Sequence, residues 1–551
     1  MERLRIGKLL LFFLLISTLL IGRLFYLQIF TGQRLAVLGL SSRVQEIPVE
    51  VARGEIVDRN GVPLTNTTQR FSIVVFPAQV QDMNTTAGSL ADITGQDPQR
   101  IAARISEHGS PFKLKTDIDL LTAKKINGLN IPGVVAVTEK LRYGYSSLAA
   151  HITGYINTAD NKGVSGIEAM YDDVLRGNQP EYAAALVDAG QQIIPGLGYK
   201  RMRFLNGSGP NNVVLTLDTH IQKIVEESMD RHMKMGAVIV LRSATGEVLA
   251  MASRPNFDAN YIDEYLSHDS APLLNRAVSA FQPGSVFKLA VAAAALENEL
   301  VRPNEIFYDP GYIDVNKLRF NGWDFDRGGR GRLTFTEAMA YSSNPVFIEV
   351  GLRLGGERLV SFAQKLGFGH RTKLDFDGEA EGNLPSPENL YPGELANFAI
   401  GQGTLEASPI QMASLVATIA NNGVKVDPYL VGKITNSAGV VIHNDHVSQG
   451  TRVLSKQTAK EIREMMTAVT HYGTGQAAYV ENYGSAGKTG SAETGRQNSR
   501  GQGINHAWFA GYAPLNNPQY VMVVLVEEGM SGGDVAAPIF REIMTAILSQ
   551  S

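Results

Sequence analysis

From Leu9 to Gly22 the chain carries no charged residue, Arg23 interrupts, and Leu24 to Gly32 is uncharged again. A helix needs about 20 residues to cross the bilayer core. Residues 9–30 therefore predict one transmembrane helix, with Arg23 near the outer interface extending its guanidinium to water. A cleaved signal peptide fits less well, because the run is long and no Ala-x-Ala-like site follows it. Arg3, Arg5 and Lys8 favour residues 1–8 on the cytoplasmic side, although Arg34 and Arg43 lean the other way. No second run of this kind follows, so everything beyond about residue 31 is expected outside the cytoplasm.

The pattern then changes to alternation. Val44 to Val51 leads into Arg53-Gly54-Glu55-Ile56-Val57-Asp58-Arg59-Asn60-Gly61, where Asn60-Gly61 is a hairpin-turn dipeptide. Phe71 to Phe76 reads as a strand and Asp117 to Leu129 as helical. Residues 45–210 carry no obvious chemistry and read as a scaffold, ending in the loop-rich Asn206 to Asn212. Beyond it, Val213 to Leu217 predicts a strand, and Thr219 to Met233 a helix capped by Asp218 or Thr219. Gly236–Leu241 and Glu247–Ala252 predict a hairpin. Helices are expected to dominate from 284 to 421. Strands return at 485–494, 506–513 and 519–527, and Asp534 to Ser549 reads as a closing helix. Strands at both ends of residues 213–551, with helices between, predict one α+β sheet domain. The polar, Gly-rich Thr494 to Asn505 predicts a mobile loop.

Composition narrows the class. The 551 residues are 44% hydrophobic and 19% charged, with net charge -4, a balance that gives no support for nucleic-acid binding. There are no cysteines, which removes disulfides, thiolate metal sites and a Cys nucleophile. The ten histidines form no zinc-type pair, so no metal is expected.

Three short motifs carry the candidate chemistry. Ser285-Val-Phe-Lys288 follows Gln282-Pro283-Gly284 and precedes an Ala-rich run, which places Ser285 at a helix N-terminus with Lys288 one turn on. The helix-end field favours negative charge developing on the serine oxygen. A neutral, buried Lys288 amine would accept its proton. Ser110-Pro-Phe-Lys113 and Ser485-Ala-Gly-Lys488 share the Ser-x-x-Lys spacing, and only the Pro-Gly entry and apolar run single out Ser285. Ser342-Ser343-Asn344, before Pro345, reads either as a helix cap or as a proton relay through Ser342, with Asn344 holding Lys288 and a substrate amide. Lys488-Thr489-Gly490-Ser491 reads either as a Gly-rich hairpin or as an anion-binding edge strand. On the second reading Thr489 and Ser491 hydroxyls take a carboxylate, and the Ser285 and Ser491 N–H groups form an oxyanion hole. The order of the three, together with the anchor, favours serine acyl transfer outside the cell.

With these motifs the chain resembles the class B penicillin-binding proteins, the monofunctional peptidoglycan D,D-transpeptidases. Further matching runs are Arg53-Gly-x-Ile-x-Asp58-Arg-Asn-Gly61, Leu217-Asp-Thr-His-Ile-Gln222, Gly401-Gln-Gly403, His506 to Pro514 and Val535 to Phe540. The resemblance implies a penicillin-binding/serine β-lactamase-like transpeptidase domain over 213–551, a five-stranded antiparallel sheet flanked by helices. An elongated, mixed α/β, non-catalytic pedestal of the dimerisation type would occupy 45–210. Ser285 would attack the penultimate D-Ala carbonyl of a stem peptide, and a neighbouring stem amine would then accept the acyl group. β-Lactams would acylate Ser285. Lys288, Ser342, Asn344 and Lys488 would be catalytic, and Thr489, Gly490 and Ser491 substrate-binding, with no cofactor. Anchor and pedestal would pair with a membrane glycan polymerase of the shape-elongation-division-sporulation (SEDS) type. Relatives with a metal site between the first and second motifs differ here, since Arg319 to Arg332 offers no His or Cys. The Glu-x-x-Leu-Asn signature of class A β-lactamases does not occur. A D,D-carboxypeptidase, or a scaffold that activates the polymerase, remains the alternative.

Overall fold

The computed structural model describes residues 2–31, 44–66, 68–144, 148–157, 161–187, 199–203, 209–374, 376–444, 449–497, 501 and 503–550. Two compact units emerge, and neither is continuous in sequence. One comprises Met1–Ala52, Thr68–Leu141 and Gly177–Ser208. The other comprises Arg53–Thr67, Arg142–Arg176 and Gly209–Ser551.

In the first unit, Glu2–Phe25 is helical and continues through a π-helical turn at Tyr26–Phe30. The apolar span Ile6–Phe30 is 25 residues long with its side chains exposed, long enough to cross a bilayer. The unit also holds a three-stranded sheet, with Thr68–Val75 between Phe112–Ile118 and Val134–Leu141. Helices Met83–Thr94, Pro98–Glu107 and Leu120–Gly128 supply further residues to its apolar core. Their starts are capped by Asp82, Asp97 and Asp119, each accepting a backbone N–H from the first turn. The expected helix at Asp117–Leu129 therefore begins only after Asp119.

The second unit is built on five antiparallel strands: β1 (Gly236–Arg242), β2 (Val248–Arg254), β3 (Ala486–Gln497), β4 (Gly503–Ala513) and β5 (Tyr520–Val526). Their order is β2-β1-β5-β4-β3, so strands from both ends of the unit meet at the β1–β5 pair. Alternate residues of one strand serve two cores. Ala237, Ile239 and Leu241 face one side with Val521, Val523 and Leu525, while Val238 and Val240 face the other with Met522 and Val524. Helix α1 (Thr219–His232), capped by Asp218, and α7 (Ala537–Leu548) contribute to the second core. The first core takes in α2 (Lys288–Glu297), α5 (Pro409–Ala420) and α6 (Lys456–His471). Nearly every position of α2 and α5 is buried, which fits their mostly apolar sequences.

Two expectations change. The segment between the first and second motifs is not purely helical: Ile306–Asp309 pairs with Gly331–Thr334, and Tyr312–Val315 with Leu318–Asn321. These strands have four residues each, too short for alternation to show in the sequence. The expected loop at Thr494–Asn505 is largely strand, since β3 runs to Gln497 and β4 starts at Gly503, with Gln497 paired to Gly503. Residues 498–500 and 502 lie outside the described residues.

Candidate active site

Glycines bring the first and third motifs together. Pro283 and Gly284 lead into a 3-10 turn, Gly284–Phe287, which continues directly into α2. Gly284 donates its N–H to Gly401 O at 3.0 Å. A methyl on Gly284 would lie 2.9 Å from Ser491 O, and one on Gly490 would lie 2.7 Å from Val286 Cγ2. Only residues without a Cβ allow this approach of the Ser285 turn to edge strand β3. Ser285 is half-buried and Ser491 exposed, whereas Lys288 and Lys488 are completely buried. The other two Ser-x-x-Lys matches are accounted for elsewhere. Lys113 lies in a strand, paired with Glu139 at 2.6 Å, and Ser485 Oγ donates to Ala478 O.

The second motif caps a helix and also turns side chains towards the first motif. After α3 (Phe335–Ala340), Ser342 takes a left-handed backbone with φ +57°. That conformation is costly for a residue with a side chain and marks a constrained turn. Ser343 is the cap of α4 (Asn344–Leu354), accepting Val346 N–H and donating to Asp309 Oδ2 at 2.5 Å. Its neighbours turn instead towards the first motif. Lys288 Nζ donates to Ser342 O at 2.7 Å and Asn344 Oδ1 at 2.7 Å, and lies 3.3 Å from Ser342 Oγ.

Lys488 Nζ reaches the same hydroxyl, 2.8 Å from Ser342 Oγ, and also donates to Thr489 O at 2.9 Å. Two fully buried lysines thus share one serine oxygen, and burial drives both towards neutrality. Burial pushes Lys288 well below the usual lysine range, the Lys488 charge lowers it further, and Asp309 and Asp324 oppose the shift. Burial lowers Lys488 to about 7.

Thr474, in the turn after α6, was not singled out from sequence. Its hydroxyl is 2.7 Å from Thr489 Oγ1, and its N–H donates to Ala340 O at 2.9 Å. It therefore ties the second-motif turn to the third-motif strand. Asp309, fully buried and bonded to Ser343, was missed too. Gly473 and Gly475 around Thr474 hinted at a close approach, whereas nothing near Asp309 distinguished it from a turn residue.

The sheet, its flanking helices and this cleft are those of the penicillin-binding transpeptidase fold. The comparisons with known proteins give the same answer. The family described as penicillin binding protein transpeptidase domain matches residues 236–545, and the penicillin-binding protein dimerisation domain matches residues 48–196. The stage V sporulation protein D of Bacillus subtilis is 32% identical over 560 residues, covering 98% of this chain and 85% of that protein. The peptidoglycan D,D-transpeptidase MrdA of Escherichia coli K12 is 27% identical, covering 97% of this chain and 92% of that protein. Among solved structures, a peptidoglycan synthetase from Bifidobacterium adolescentis superposes with TM-score 0.66 at 25% identity, covering 92% of this chain and 97% of that one. Penicillin-binding protein 3 of Mycobacterium tuberculosis, complexed with aztreonam, superposes with TM-score 0.65 at 27% identity, covering 92% and 97%. The chain belongs to the class B penicillin-binding proteins. With its one apolar helix and both family modules, it is a single-pass membrane protein whose catalytic domain lies outside the cytoplasm.

Proposed function

We propose that this protein is a peptidoglycan D,D-transpeptidase working through an acyl-enzyme on Ser285. Family membership supports peptidoglycan cross-linking as the general activity. The observation that carries the finer reading is the convergence of two buried lysines on Ser342 Oγ beside the half-buried Ser285 turn.

Neutral Lys288 takes the Ser285 proton as the serine oxygen bonds to the penultimate D-Ala carbonyl. The oxyanion is held by backbone N–H groups at Ser285 and Ser491. Ser342 gives its proton to the leaving nitrogen while taking the one that Lys288 carries, the C–N bond breaks, and D-Ala departs. An amine of a second stem then attacks the ester, gives up its proton, and Ser285 regains one. Asn344 positions Lys288 and a substrate amide. The Thr489 and Ser491 hydroxyls hold the terminal carboxylate, buried Lys488 acts on Ser342 Oγ, and Gly490 keeps the strand close to the Ser285 turn. β-Lactams enter the same path as mimics of D-Ala-D-Ala. Residues 213–551 carry the transpeptidase chemistry, and 45–210, apart from Arg53–Thr67 and Arg142–Arg176 that join the catalytic unit, serve as the non-catalytic pedestal. Anchor and pedestal dock a membrane glycan polymerase of the SEDS type.

Ser285→Ala is expected to abolish covalent labelling by a fluorescent penicillin while the protein keeps its thermal unfolding transition. Labelling at the wild-type level would refute the assignment. Mass spectrometry of products from labelled donor and acceptor stems separates cross-linking from hydrolysis.

A further inference from the structure

Arg330 lies against Tyr341, the residue before the second motif. Its Nε donates to Asp324 Oδ2 at 2.8 Å, and Asp324 is itself buried. Its guanidinium lies 5.1 Å from the Trp323 ring and 4.4 Å from the Tyr341 ring. Trp323 Nε1 in turn donates to Tyr341 O at 2.9 Å, fixing the indole next to Ser342. The guanidinium is therefore held flat by two rings and one carboxylate. Among the described residues, its two terminal nitrogens donate to nothing. Tying down this segment needs only the Nε bond. The unused pair of N–H groups is the fork that fits a carboxylate edge-on. Trp323 is 53% exposed beside it and offers an apolar face to whatever brings that carboxylate.

The direction of the donor decides the occupant, and this step rests on the transpeptidase reading above. With the terminal carboxylate at Thr489 and Ser491, the scissile carbonyl at Ser285 and a substrate amide at Asn344, the acyl half of the donor leaves past Asn344. Asn344 Nδ2 donates to Asn321 O at 3.3 Å, and Trp323 is two residues further along. The residue preceding D-Ala-D-Ala thus meets the Trp323–Arg330 surface. We propose that Arg330 is a specificity-determining residue that binds a side-chain carboxylate on the stem residue immediately before D-Ala-D-Ala, with Trp323 covering that side chain's methylenes.

The test uses the detergent-solubilised full chain and two donors, N-acyl-X-D-Ala-D-Ala with X either L-glutamyl or L-glutaminyl, and measures released D-Ala. The carboxylate donor is expected to be favoured about tenfold or more in kcat/KM, chiefly through KM, as for a charge-assisted bond. Arg330→Gln should remove the preference by slowing the carboxylate donor selectively, and Arg330→Lys should keep part of it. Equal release from both donors by the wild-type protein overturns the inference and leaves the transpeptidase reading standing. No release from either donor defeats that reading, and this inference with it. Equal slowing of both donors by Arg330→Gln assigns Arg330 to holding the fold and also overturns the inference. The wild-type ratio needs no variant to fold.

Discussion

Ser342 Oγ lies 2.8 Å from Lys488 Nζ and 3.3 Å from Lys288 Nζ, so one hydroxyl serves as acceptor or donor for two buried amines. Its left-handed backbone is the strain that aims it there. The charge on Lys488 has a thermodynamic signature. Its proton is lost near pH 7 in the folded protein, against 10.5 for an ordinary lysine. Between these values the unfolded chain binds a proton that the folded protein does not, so stability rises with pH across that window. Below about pH 7 both states are protonated, and the full cost of burying the charge is present. Lys488→Met removes the effect. The stability of the wild type relative to Lys488→Met should climb by roughly a few kcal/mol from pH 7 to 10.5, measured by denaturant unfolding at each pH. A flat difference would mean that Lys488 keeps an ordinary affinity for its proton.

The elements that carry the site depend on contacts between segments far apart in sequence, and this divides what could be read beforehand from what could not. Ser285, Lys288 and the start of α2 were legible because a Pro-Gly entry and an Ala-rich run are local signals. Four of the five sheet strands were legible from apolar runs bounded by turns, whereas β3 is the Gly-rich, polar third motif. Thr474 was not, since its role is a hydroxyl pair with Thr489 across the cleft, and spacing does not encode such a partner. The second motif read two ways because adjacent residues differ: Ser343 caps α4, while Ser342 and Asn344 bond to Lys288. Gly401 shows how tightly the approach is specified. It has φ +79°, and a methyl there would lie 1.9 Å from Gly284 O, just before Ser285. Gly378 has a similar φ of +75° with open space around it. Gly378→Ala should cost about 1 kcal/mol from backbone strain alone. Gly401→Ala should cost several times more and depress penicillin labelling of the folded fraction. Comparable unfolding midpoints for the two variants would show that the Gly284–Gly401 approach is not constraining.

At the scale of the molecule, the chain weaves between its compact units, and early segments complete the catalytic one. Ile56–Val57 pairs in parallel with Val213 and Val214, and Asp58 Oδ2 accepts the N–H and hydroxyl of Thr219 at the start of α1. Glu168, fully buried, accepts from Arg53 Nε and Arg142 Nε, each at 2.6 Å. Ile56, Ile152, Ile167 and Leu175 are fully buried in the core that also holds α2 and α5. The loop-rich Asn206–Asn212 stretch reads as a clean boundary, because pairing across 157 residues, as in Glu55 N–H to Asn212 Oδ1, leaves no local trace. A fragment of residues 213–551 would lose all four apolar side chains, at about 1.5–3 kcal/mol each. That sum is comparable with the whole stability of a domain, about 5–15 kcal/mol. The fragment is therefore expected to be insoluble or to lack a cooperative unfolding transition. A fragment of residues 44–551, without the membrane helix, should unfold cooperatively and take up fluorescent penicillin. The pair separates two accounts of the early segments. If 213–551 melts at the same temperature as 44–551 and labels equally fast, those segments add nothing to the catalytic fold. If it fails on both counts while 44–551 succeeds, segments before residue 213 are needed to complete the catalytic unit, as the burial of Ile56, Ile152, Ile167 and Leu175 in its core requires.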